Sequence, residues 1–435
     1  MMTRRRFLQT ASSLVAAAQA NAQSPSDYRA LVCVFLFGGV DGNNMVVPAD
    51  AGSYATYAKG RSGIALSADK LLNIQAQGKA YGLHPRLTDL HKLYGEKRMA
   101  VVANTGMLVR PVTRAEILDD RNAAVPRNLY SHSDQVIQWQ TSNPQGTGTG
   151  WSGRAIDAVV GNQQASITPG VSFAGNSAQL VGRLNQPTAL TGSGAFGLDY
   201  IYDSPQDRAR YAGIEKILGV DNGIALVSAM RGLLANGLNS AAEIRRLFST
   251  SPALKTQFPD SGLGGQLRQV AQLLAVRGTL GLKRQIFFVS QGGYDNHSDL
   301  IESLDNRFAE LSPALNAFYR ATEELGVANS VTTFTESEFG RTFGPSSTAG
   351  SDHAWGNHHL VLGGAIKGGE MYGRFPDLTI RGPEDAGDRG LWIPSTSTDQ
   401  YAATLASWFG VSAGDLGEVF PNLRNFAAPS LGFMA

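Results

Sequence analysis

Acidic residues and histidines follow three separate apolar segments of this 435-residue chain. The segments Leu31–Phe37, Gln285–Ser290 and Val331–Phe334 each lead into a polar turn. The chemically competent residues in those turns are Asp41, Asp295, His297, Glu336 and Glu338. Carboxylates mixed with imidazoles are typical ligands of zinc, manganese or magnesium. The pattern predicts a hydrolytic metal site, where one or two divalent ions polarise a phosphoryl or sulfuryl oxygen and lower the pKa of a bound water or hydroxyl nucleophile.

More candidate ligands lie near the C-terminal end of the chain, and each has an alternative role. His353 is either a ligand or an ordinary loop residue. His358 and His359 are adjacent, so on a strand they point to opposite faces and at most one is expected to serve the site. Glu338 is either a ligand or the ion-pair partner of Arg341, three residues further on.

Structural roles are also open for the other candidates. Asp41 lies in a Gly- and Asn-rich turn that its side chain could simply cap, and Asp295 with His297 could cap the helix that follows. His84 and His91, on or next to a helix, are interpreted as structural. No serine lies in a G-x-S-x-G elbow, so the sequence does not support a Ser-His-Asp triad.

The apolar segments predict an α/β fold. The uninterrupted run Leu31–Phe37 is typical of a strand buried on both faces. With the amphipathic helix Pro85–Lys97 and the apolar run Met99–Ala103, it forms a βαβ unit and hence a parallel sheet. The carboxyl ends of parallel strands share one edge, where residues distant in sequence converge. Further helices are predicted over Gln135–Thr141, Leu300–Leu325 and Asp399–Trp408, with residues 49–80 largely irregular.

The N-terminus predicts export. Thr3–Gln9 reads TRRRFLQ, a twin-arginine pattern, and small-x-small cleavage sites follow within residues 1–22. The apolar part, Leu8–Ala18, is shorter than the roughly 20 residues that span a bilayer. Removing its three arginines changes the net charge from +1 to about −2. The mature chain has no basic run, so nucleic acid is not an expected partner, and the one cysteine, Cys33, excludes an internal disulfide.

Six stretches resemble, in order, an uncharacterised family of twin-arginine-exported bacterial proteins that looks like a branch of the alkaline phosphatase/sulfatase superfamily. They are LVCVFLFGGVDGNNMVVP, YSHSDQVIQWQ, GTGWSGR, GGYDNHSDL, TESEFGRT and DHAWGNHHLVLGGAIKGG. The resemblance implies a three-layer α/β architecture with a mostly parallel central sheet flanked by helices. Residues 23–435 are expected to form one such domain, with a helical insertion around residues 204–280.

The resemblance also implies roles for individual residues. By their places in the superfamily's order of motifs, the metal ligands are expected among Asp41, Asp295, His297, Glu338 (or Glu336), His353 and His358. Ser131 or Ser133, ahead of the helix Gln135–Thr141, is the nearest match to a nucleophile. The chain departs from the superfamily where Asp295 and His297 are separated by one residue rather than three, and where Glu338 is followed by Phe339 instead of histidine. The sulfatase signature beginning Cys-x-Pro-Ser-Arg is absent.

Two functions are compatible with these observations. One is a metal-dependent hydrolase of phosphate or sulfate esters, periplasmic or secreted after passage through the twin-arginine machinery. The other, suggested by the incomplete ligand set, is a non-catalytic exported binding or assembly protein with a degenerate metal site. The expected partner is accordingly a small-molecule ester or an exported protein, and neither function requires a membrane-spanning segment.

Overall fold

A computed structural model describes residues 27–119, 124–146, 148–162, 167–190, 204–220 and 223–435. The predicted signal segment, residues 1–22, lies outside these ranges. Within them, none of the helices combines the length and apolar character needed to cross a bilayer.

The strands of the described residues form two sheets. Their bounds are β1 Arg29–Leu36, β2 Val46–Pro48, β3 Leu72–Ala76, β4 Lys79–Leu83, β5 Met99–Gly106, β6 Gly170–Ser172, β7 Thr188–Ala189, β8 Arg284–Gln291, β9 Val331–Glu336, β10 Asn357–Gly363, β11 Met371–Tyr372 and β12 Thr396–Ser397. The large sheet has the order β11-β5-β10-β9-β1-β8-β6-β7, with β12 also paired to β5, and β2-β4-β3 form a small antiparallel sheet. In the large sheet, only the pairings made by β10 are antiparallel among these strands.

Helices cover both faces of the large sheet. Their bounds are α1 Gly42–Met45, α2 Ala51–Arg61, α3 Thr88–Gly95, α4 Arg114–Asp119, α5 His132–Thr141, α6 Trp151–Val160, α7 Pro205–Leu218, α8 Ala225–Thr250, α9 Gly262–Ala275, α10 Arg277–Leu280, α11 Leu300–Glu324, α12 Thr398–Phe409 and α13 Leu416–Val419. The expected α/β fold, with a mostly parallel sheet between helices, is confirmed. The segment predicted as a helical insertion contains α7, α8 and α9.

Strand β1 lies at the centre of the large sheet, between β8 and β9, and is parallel to both. Its alternate side chains enter two different cores. Val32 and Val34 pack in the core that includes α3, α9 and α11, whereas Cys33 and Phe35 pack in the core with α6 and α12. A strand with apolar neighbours on both faces requires an unbroken apolar run, and this requirement accounts for the residues of Leu31–Phe37.

The three central strands end at the same level. Leu36 of β1 is paired with Gln291 of β8, and Phe35 is paired with Glu336 of β9. The turns that follow β1, β8 and β9 therefore leave the sheet side by side, as expected from the parallel order.

Two further loops reach this edge because of the direction of their strands. Strand β10 runs antiparallel to its neighbours, so the loop before it arrives at the edge where the parallel strands end. Asn357, at the start of β10, is paired with Thr105 near the end of β5. The chain that leaves β5 continues to α5, so the first turn of α5 is also brought here.

Some predicted boundaries were wrong. Helix α5 starts three residues earlier than expected, with Ser131 as its N-cap residue. Residues 49–80, predicted to be irregular with helix only in short pieces, contain the 11-residue helix α2, whose start is capped by Asp50 accepting the N–H of Ser53. Helix α3 is shorter than predicted because the chain makes a turn, with the N–H of Leu87 donating to the carbonyl of His84, before the helix begins.

Candidate metal centre

Four side chains converge at the carboxyl edge of the large sheet. His132 lies in the first turn of α5, Asp295 and His297 lie in the turn after β8, and His353 lies in the loop before β10. The Asp295 carboxylate lies 3.4 Å from His132 Nε2, 3.0 Å from His297 Nε2 and 3.3 Å from His353 Nε2. His353 Nε2 is also 3.1 Å from His132 Nε2 and 3.2 Å from His297 Nε2. We refer to these four residues as the histidine–aspartate cluster.

Carboxylates hold the far sides of two of the imidazoles. His132 Nδ1 lies 2.8 Å from Glu338 Oε1, and His297 Nδ1 lies 3.0 Å from Asp352 Oδ1. A carboxylate is an acceptor, so each Nδ1 carries a proton and donates it. In the neutral imidazole, the lone pair is then on Nε2, the atom that faces the cluster.

A backbone carbonyl holds the third imidazole. His353 Nδ1 donates to the carbonyl oxygen of Tyr130 over 2.8 Å, and a carbonyl can only accept. Burial lowers the pKa of His353, which favours its neutral form. His353 Nε2 therefore also presents a lone pair to the cluster.

The cluster thus brings acceptor atoms together. Burial raises the pKa of Asp295, but Arg341 and the neighbouring histidines outweigh this and lower it to about 2, so its carboxylate is ionised. The hydrogen bond to Glu338 raises the pKa of His132. A proton on His132 Nε2 faces Asp295 and His353 but leaves the contact between His297 and His353 without a donor, whereas a metal cation would attract the acceptor atoms of His132, Asp295 and His353 together.

The geometry fits a small divalent ion. Zinc is commonly held by four ligands in a tetrahedron with zinc–nitrogen distances of about 2.0–2.1 Å, which places neighbouring ligand atoms about 3.3 Å apart. His132, Asp295 and His353 match that spacing, since their ligand atoms lie 3.1–3.4 Å apart in each pair, and His297 Nε2 lies at a similar distance from Asp295 and His353. Nδ1 bonds to carboxylates or carbonyls are the usual second layer of a histidine metal site, because they fix ring orientation and tautomer. His132, Asp295 and His353 are therefore the residues that could hold the ion, and His297 is a further candidate beside Asp295 and His353.

Packing and hydrogen bonds restrict how far these side chains move. The ring of Phe339 lies 4.7 Å from the ring centres of both His132 and His353. Arg341, which is buried, binds Asp295 and also donates to the carbonyls of Gly38, Gly39 and Ser351. The cluster is therefore built on the turns rather than attached to mobile surface chains.

Gly38 shows why the turn after β1 needs glycine. Its φ of +114° is unfavourable for other residues, and a Cβ would collide with the backbone of Tyr294 and Asp295. Its N–H donates to Glu338 Oε1 over 2.8 Å. Close approach of this turn to the turn after β8 thus helps place both Asp295 and Glu338.

Glu338 is expected to act on the metal through His132. Glu338→Gln preserves the shape of the side chain but removes its charge, and we expect metal affinity to fall by about 10- to 100-fold, as for other second-layer carboxylates. Competition with a metal-binding dye measures this change. An unchanged affinity would show that Glu338 only supports the backbone of Gly38.

The structure brings together some of the predicted site residues and separates others. Asp295, His297 and His353 belong to the cluster, and Glu338 lies next to it. His358 does not belong to the cluster. Its Nδ1 accepts the N–H of Asn104 over 3.0 Å, and its buried ring stacks on another aromatic side chain. Burial lowers the pKa of His358 to about 3, consistent with a neutral core histidine.

Asp41, one of the predicted ligands, lies outside the histidine–aspartate cluster. Its side chain is fully buried and forms an ion pair with the equally buried Arg61 at 2.5 Å. Its other oxygen accepts the N–H of Asn44 over 3.0 Å and caps α1. Both oxygens have protein partners outside the cluster, an arrangement that supports a role in holding the turn after β1, and the metal-ligand role of Asp41 stays a prediction. Arg61 comes from α2, in the segment that sequence reasoning treated as irregular.

Glu336, the alternative to Glu338, is directed into the core. It is fully buried on β9, with Oε2 3.5 Å from Cys33 Sγ. Desolvation raises its pKa to about 8. The unfolded chain releases this proton near the ordinary value, so between about pH 5 and 8 the unfolded state binds fewer protons and stability falls as pH rises.

Glu336→Gln should remove that pH dependence. Each pKa unit corresponds to about 1.4 kcal/mol, so relative to the parent we expect the variant to gain a few kcal/mol of stability between pH 5 and pH 8. Denaturant unfolding at the two pH values measures the gain. A difference in unfolding free energy between the variant and the parent that does not change with pH would contradict a neutral, buried Glu336.

His132 and Asp352 are the site residues that sequence reasoning missed. Both lie inside the motifs SHSD and DHAWGNHH, in which Ser131, Ser133 and the histidines of the second motif were the predicted site residues. Placing the start of α5 three residues earlier would have put His132 in the first helical turn, at a loop–helix junction.

A cavity of about 590 Å³ opens beside the cluster. His132, Asp295 and Glu338 line it, together with Ser133. The two serines proposed as nucleophiles differ here. Ser131 donates to Asp134 Oδ2 over 2.6 Å, whereas Ser133 is exposed in the cavity wall. Ser133 is thus better placed to meet a molecule bound at the cluster.

Comparisons with known proteins give a family. A comparison with curated protein sequences found no match. Among solved structures, Ps i-CgsB in complex with k-i-k-neocarrahexaose is similar with a TM-score of 0.37 and 11% identity over 94% of this chain and 78% of that chain. The PsFucS1 sulfatase from Pseudoalteromonas sp. is similar with a TM-score of 0.36 and 10% identity, over 94% of this chain and 72% of that chain. A mutant of the alkaline phosphatase PafA is similar with a TM-score of 0.27 and 10% identity, over 74% of this chain and 64% of that chain.

One family model matches most of the chain. It spans residues 28–386 and therefore includes every member of the histidine–aspartate cluster. The protein belongs to the family described as "Protein of unknown function (DUF1501)".

Proposed function

We propose that this protein is a metal-dependent hydrolase of phosphate or sulfate esters. The observation that carries the proposal is the convergence of His132, Asp295 and His353, whose ligand atoms lie 3.1–3.4 Å apart in each pair, with His297 Nε2 within 3.2 Å of Asp295 and His353, beside an open cavity. A set of acceptors with this spacing is suited to one divalent ion, and the cavity leaves room for a substrate next to it.

The chain's own residues would divide the work. A bound divalent ion supplies positive charge for an ester oxygen and lowers the pKa of a bound hydroxyl or water. His132, Asp295, His297 and His353 hold the ion, and their carboxylate and carbonyl partners fix the tautomers. Ser133, in the cavity wall, presents a hydroxyl as the candidate nucleophile.

The proposal is tested with the purified full chain. Metal analysis should find about one zinc, manganese or magnesium ion per chain, because His132, Asp295 and His353 form one group of ligand atoms. The protein should hydrolyse an aryl phosphate, phosphodiester or sulfate. Folded protein that contains metal yet cleaves none of these esters would favour the alternative of a non-catalytic binding or assembly protein, and folded protein that binds no added metal would reject both metal-based functions.

Ser133 and Ser131 can be distinguished by matched substitutions. If Ser133 is the nucleophile, Ser133→Ala should lower kcat by at least about 100-fold, whereas Ser131→Ala should have a much smaller effect, since its hydroxyl is bound to Asp134. Steady-state kinetics with an aryl ester measures both variants. Equal, small effects would point to a water nucleophile instead.

We also propose that the protein works outside the cytoplasm, exported by the twin-arginine route. The support is the motif TRRRFLQ and the small-residue sites before residue 23. Fractionation of cells expressing the full chain should find the shortened protein in the periplasm or medium, and full-length protein in the cytoplasm alone would contradict this.

A further inference from the structure

The cavity beside the cluster has an apolar wall. Apart from the metal-site residues and Ser133, it is lined by Phe37, Gly38, Val136, Ile137, Gly292 and Gly293. Val136 lies one helical turn after His132, so the two side chains share a face of α5. A ligand bound at the cluster would therefore rest its organic part against hydrocarbon.

Positive side chains are absent from this wall. Among the described residues, those that line the cavity include no lysine and no arginine. Arg341, the guanidinium nearest the cluster, is buried and occupied by Asp295 and backbone carbonyls. Arg389 is similarly bound to Asp352. Neither arginine is available to grip a substrate oxyanion.

The charge balance of the site limits the charge of the ligand. The charged groups of the cluster and of its direct partners are the carboxylates of Asp295, Glu338 and Asp352 and the guanidiniums of Arg341 and Arg389. With neutral imidazoles, their net charge is about −1. One divalent ion brings the total to about +1, which a monoanion neutralises. A dianion would exceed this charge, and the cavity wall offers no lysine or arginine to compensate the excess.

We propose that the site selects a monoanionic tetrahedral ester group attached to an apolar, aryl-sized substituent, such as a phosphodiester or a sulfate monoester. Phosphate monoesters, which are dianionic at neutral to alkaline pH, are disfavoured. This proposal rests on the proposed function for the identity of the reacting group. Phosphodiesters and sulfate monoesters present the same monoanionic group to the site, and the experiments below distinguish them.

Binding of inert analogues tests the recognition without turnover. The full chain loaded with Zn²⁺ is titrated calorimetrically with benzenesulfonate, methanesulfonate and phenylphosphonate at about pH 8.5, where the phosphonate carries two charges. We expect benzenesulfonate to bind at least about 10-fold more tightly than either of the others. Tighter binding of phenylphosphonate would overturn the charge argument. Equal binding of the two sulfonates, or no binding of any analogue, would overturn the apolar pocket.

Turnover then separates the two ester classes and the two proposals. Phenyl 4-nitrophenyl phosphate and 4-nitrophenyl sulfate should each be compared with 4-nitrophenyl phosphate. A kcat/KM for either monoanion at least about 10-fold above the monoester supports the inference and identifies the class. Preference for the monoester would overturn the inference and leave the hydrolase function intact. Selective binding of benzenesulfonate without hydrolysis of any ester would instead reject the hydrolase function.

A pocket variant locates the apolar contact. Val136→Asn should weaken benzenesulfonate binding by about 10-fold and leave zinc content unchanged, because Val136 lines the cavity without touching the ligand atoms of the cluster. Leu184→Asn makes the same kind of change at an exposed leucine outside this cavity and should have no effect. Equal effects of the two substitutions would show that the apolar wall is not the binding surface.

Discussion

Replacing His353 with alanine is expected to remove the bound metal and the hydrolytic activity together. His353 Nε2 lies within 3.3 Å of three other members of the cluster, and its ring is held by the carbonyl of Tyr130 and the ring of Phe339. Structural sites bind zinc with a free energy of about 10–16 kcal/mol, shared among their ligands. Removing the His353 ligand should therefore weaken metal affinity by at least about 100-fold. Turnover at limiting metal should fall at least as much.

The matched control is His91→Ala. His91 Nε2 lies 2.9 Å from the carbonyl of Asn73, in the small-sheet region, and takes no part in the cluster. This variant should keep its metal and its activity. Metal analysis after dialysis, together with circular dichroism to show that both variants are folded, makes the comparison. A folded His353→Ala protein with normal metal content would remove the cluster as the metal site.

Replacing Asp41 with alanine is expected to destabilise the fold without emptying the metal site. The substitution leaves Arg61 buried, with its charge opposed only by neutral acceptors: the side chain of Asn44 and the carbonyls of Thr342 and Phe343. Breaking a buried ion pair by removing one partner costs about 3–5 kcal/mol. The loss of the helix cap on Asn44 adds to this.

Denaturant unfolding measures the cost, with Asp89→Ala as the control. Asp89 pairs with Lys92 at 2.9 Å, but Lys92 is largely exposed, so we expect a loss of less than about 1 kcal/mol. Metal content is measured on the folded fraction of each protein. Loss of metal from a folded Asp41→Ala protein would identify Asp41 as a ligand. An unchanged free energy of unfolding would contradict the stabilising role of its ion pair with Arg61.

The local pattern of residues was enough to predict the architecture. An apolar run such as Leu31–Phe37 has few alternatives to a strand between two layers. The predicted βαβ unit does place β1 and β5 in one sheet, but β9 and β10 lie between them. Because parallel strands end at one edge, the sequence also predicted that Asp295 and His297 would meet residues from other turns there. These inferences depend only on side-chain polarity and on the direction of the chain.

The contacts that each acidic side chain makes could not be predicted in the same way. Asp41, Glu336 and Asp295 all lie at or just beyond strand ends, yet one is buried against Arg61, one lies in the core beside Cys33, and only Asp295 faces the cluster. A single position along a strand decides which face a side chain occupies. The arginine that neutralises Asp41 comes from a helix that sequence reasoning did not recognise.

The sequence by itself determined the α/β class and predicted that Asp295, His297 and His353 would meet at one edge of the sheet. Only the tertiary structure decided that His132 joins them and that Asp41 and His358 have other partners. The physical reason is that a ligand set is defined by distances of about 3 Å between atoms from different loops. Those distances depend on helix starts, on the antiparallel direction of β10 and on which buried charges already have partners.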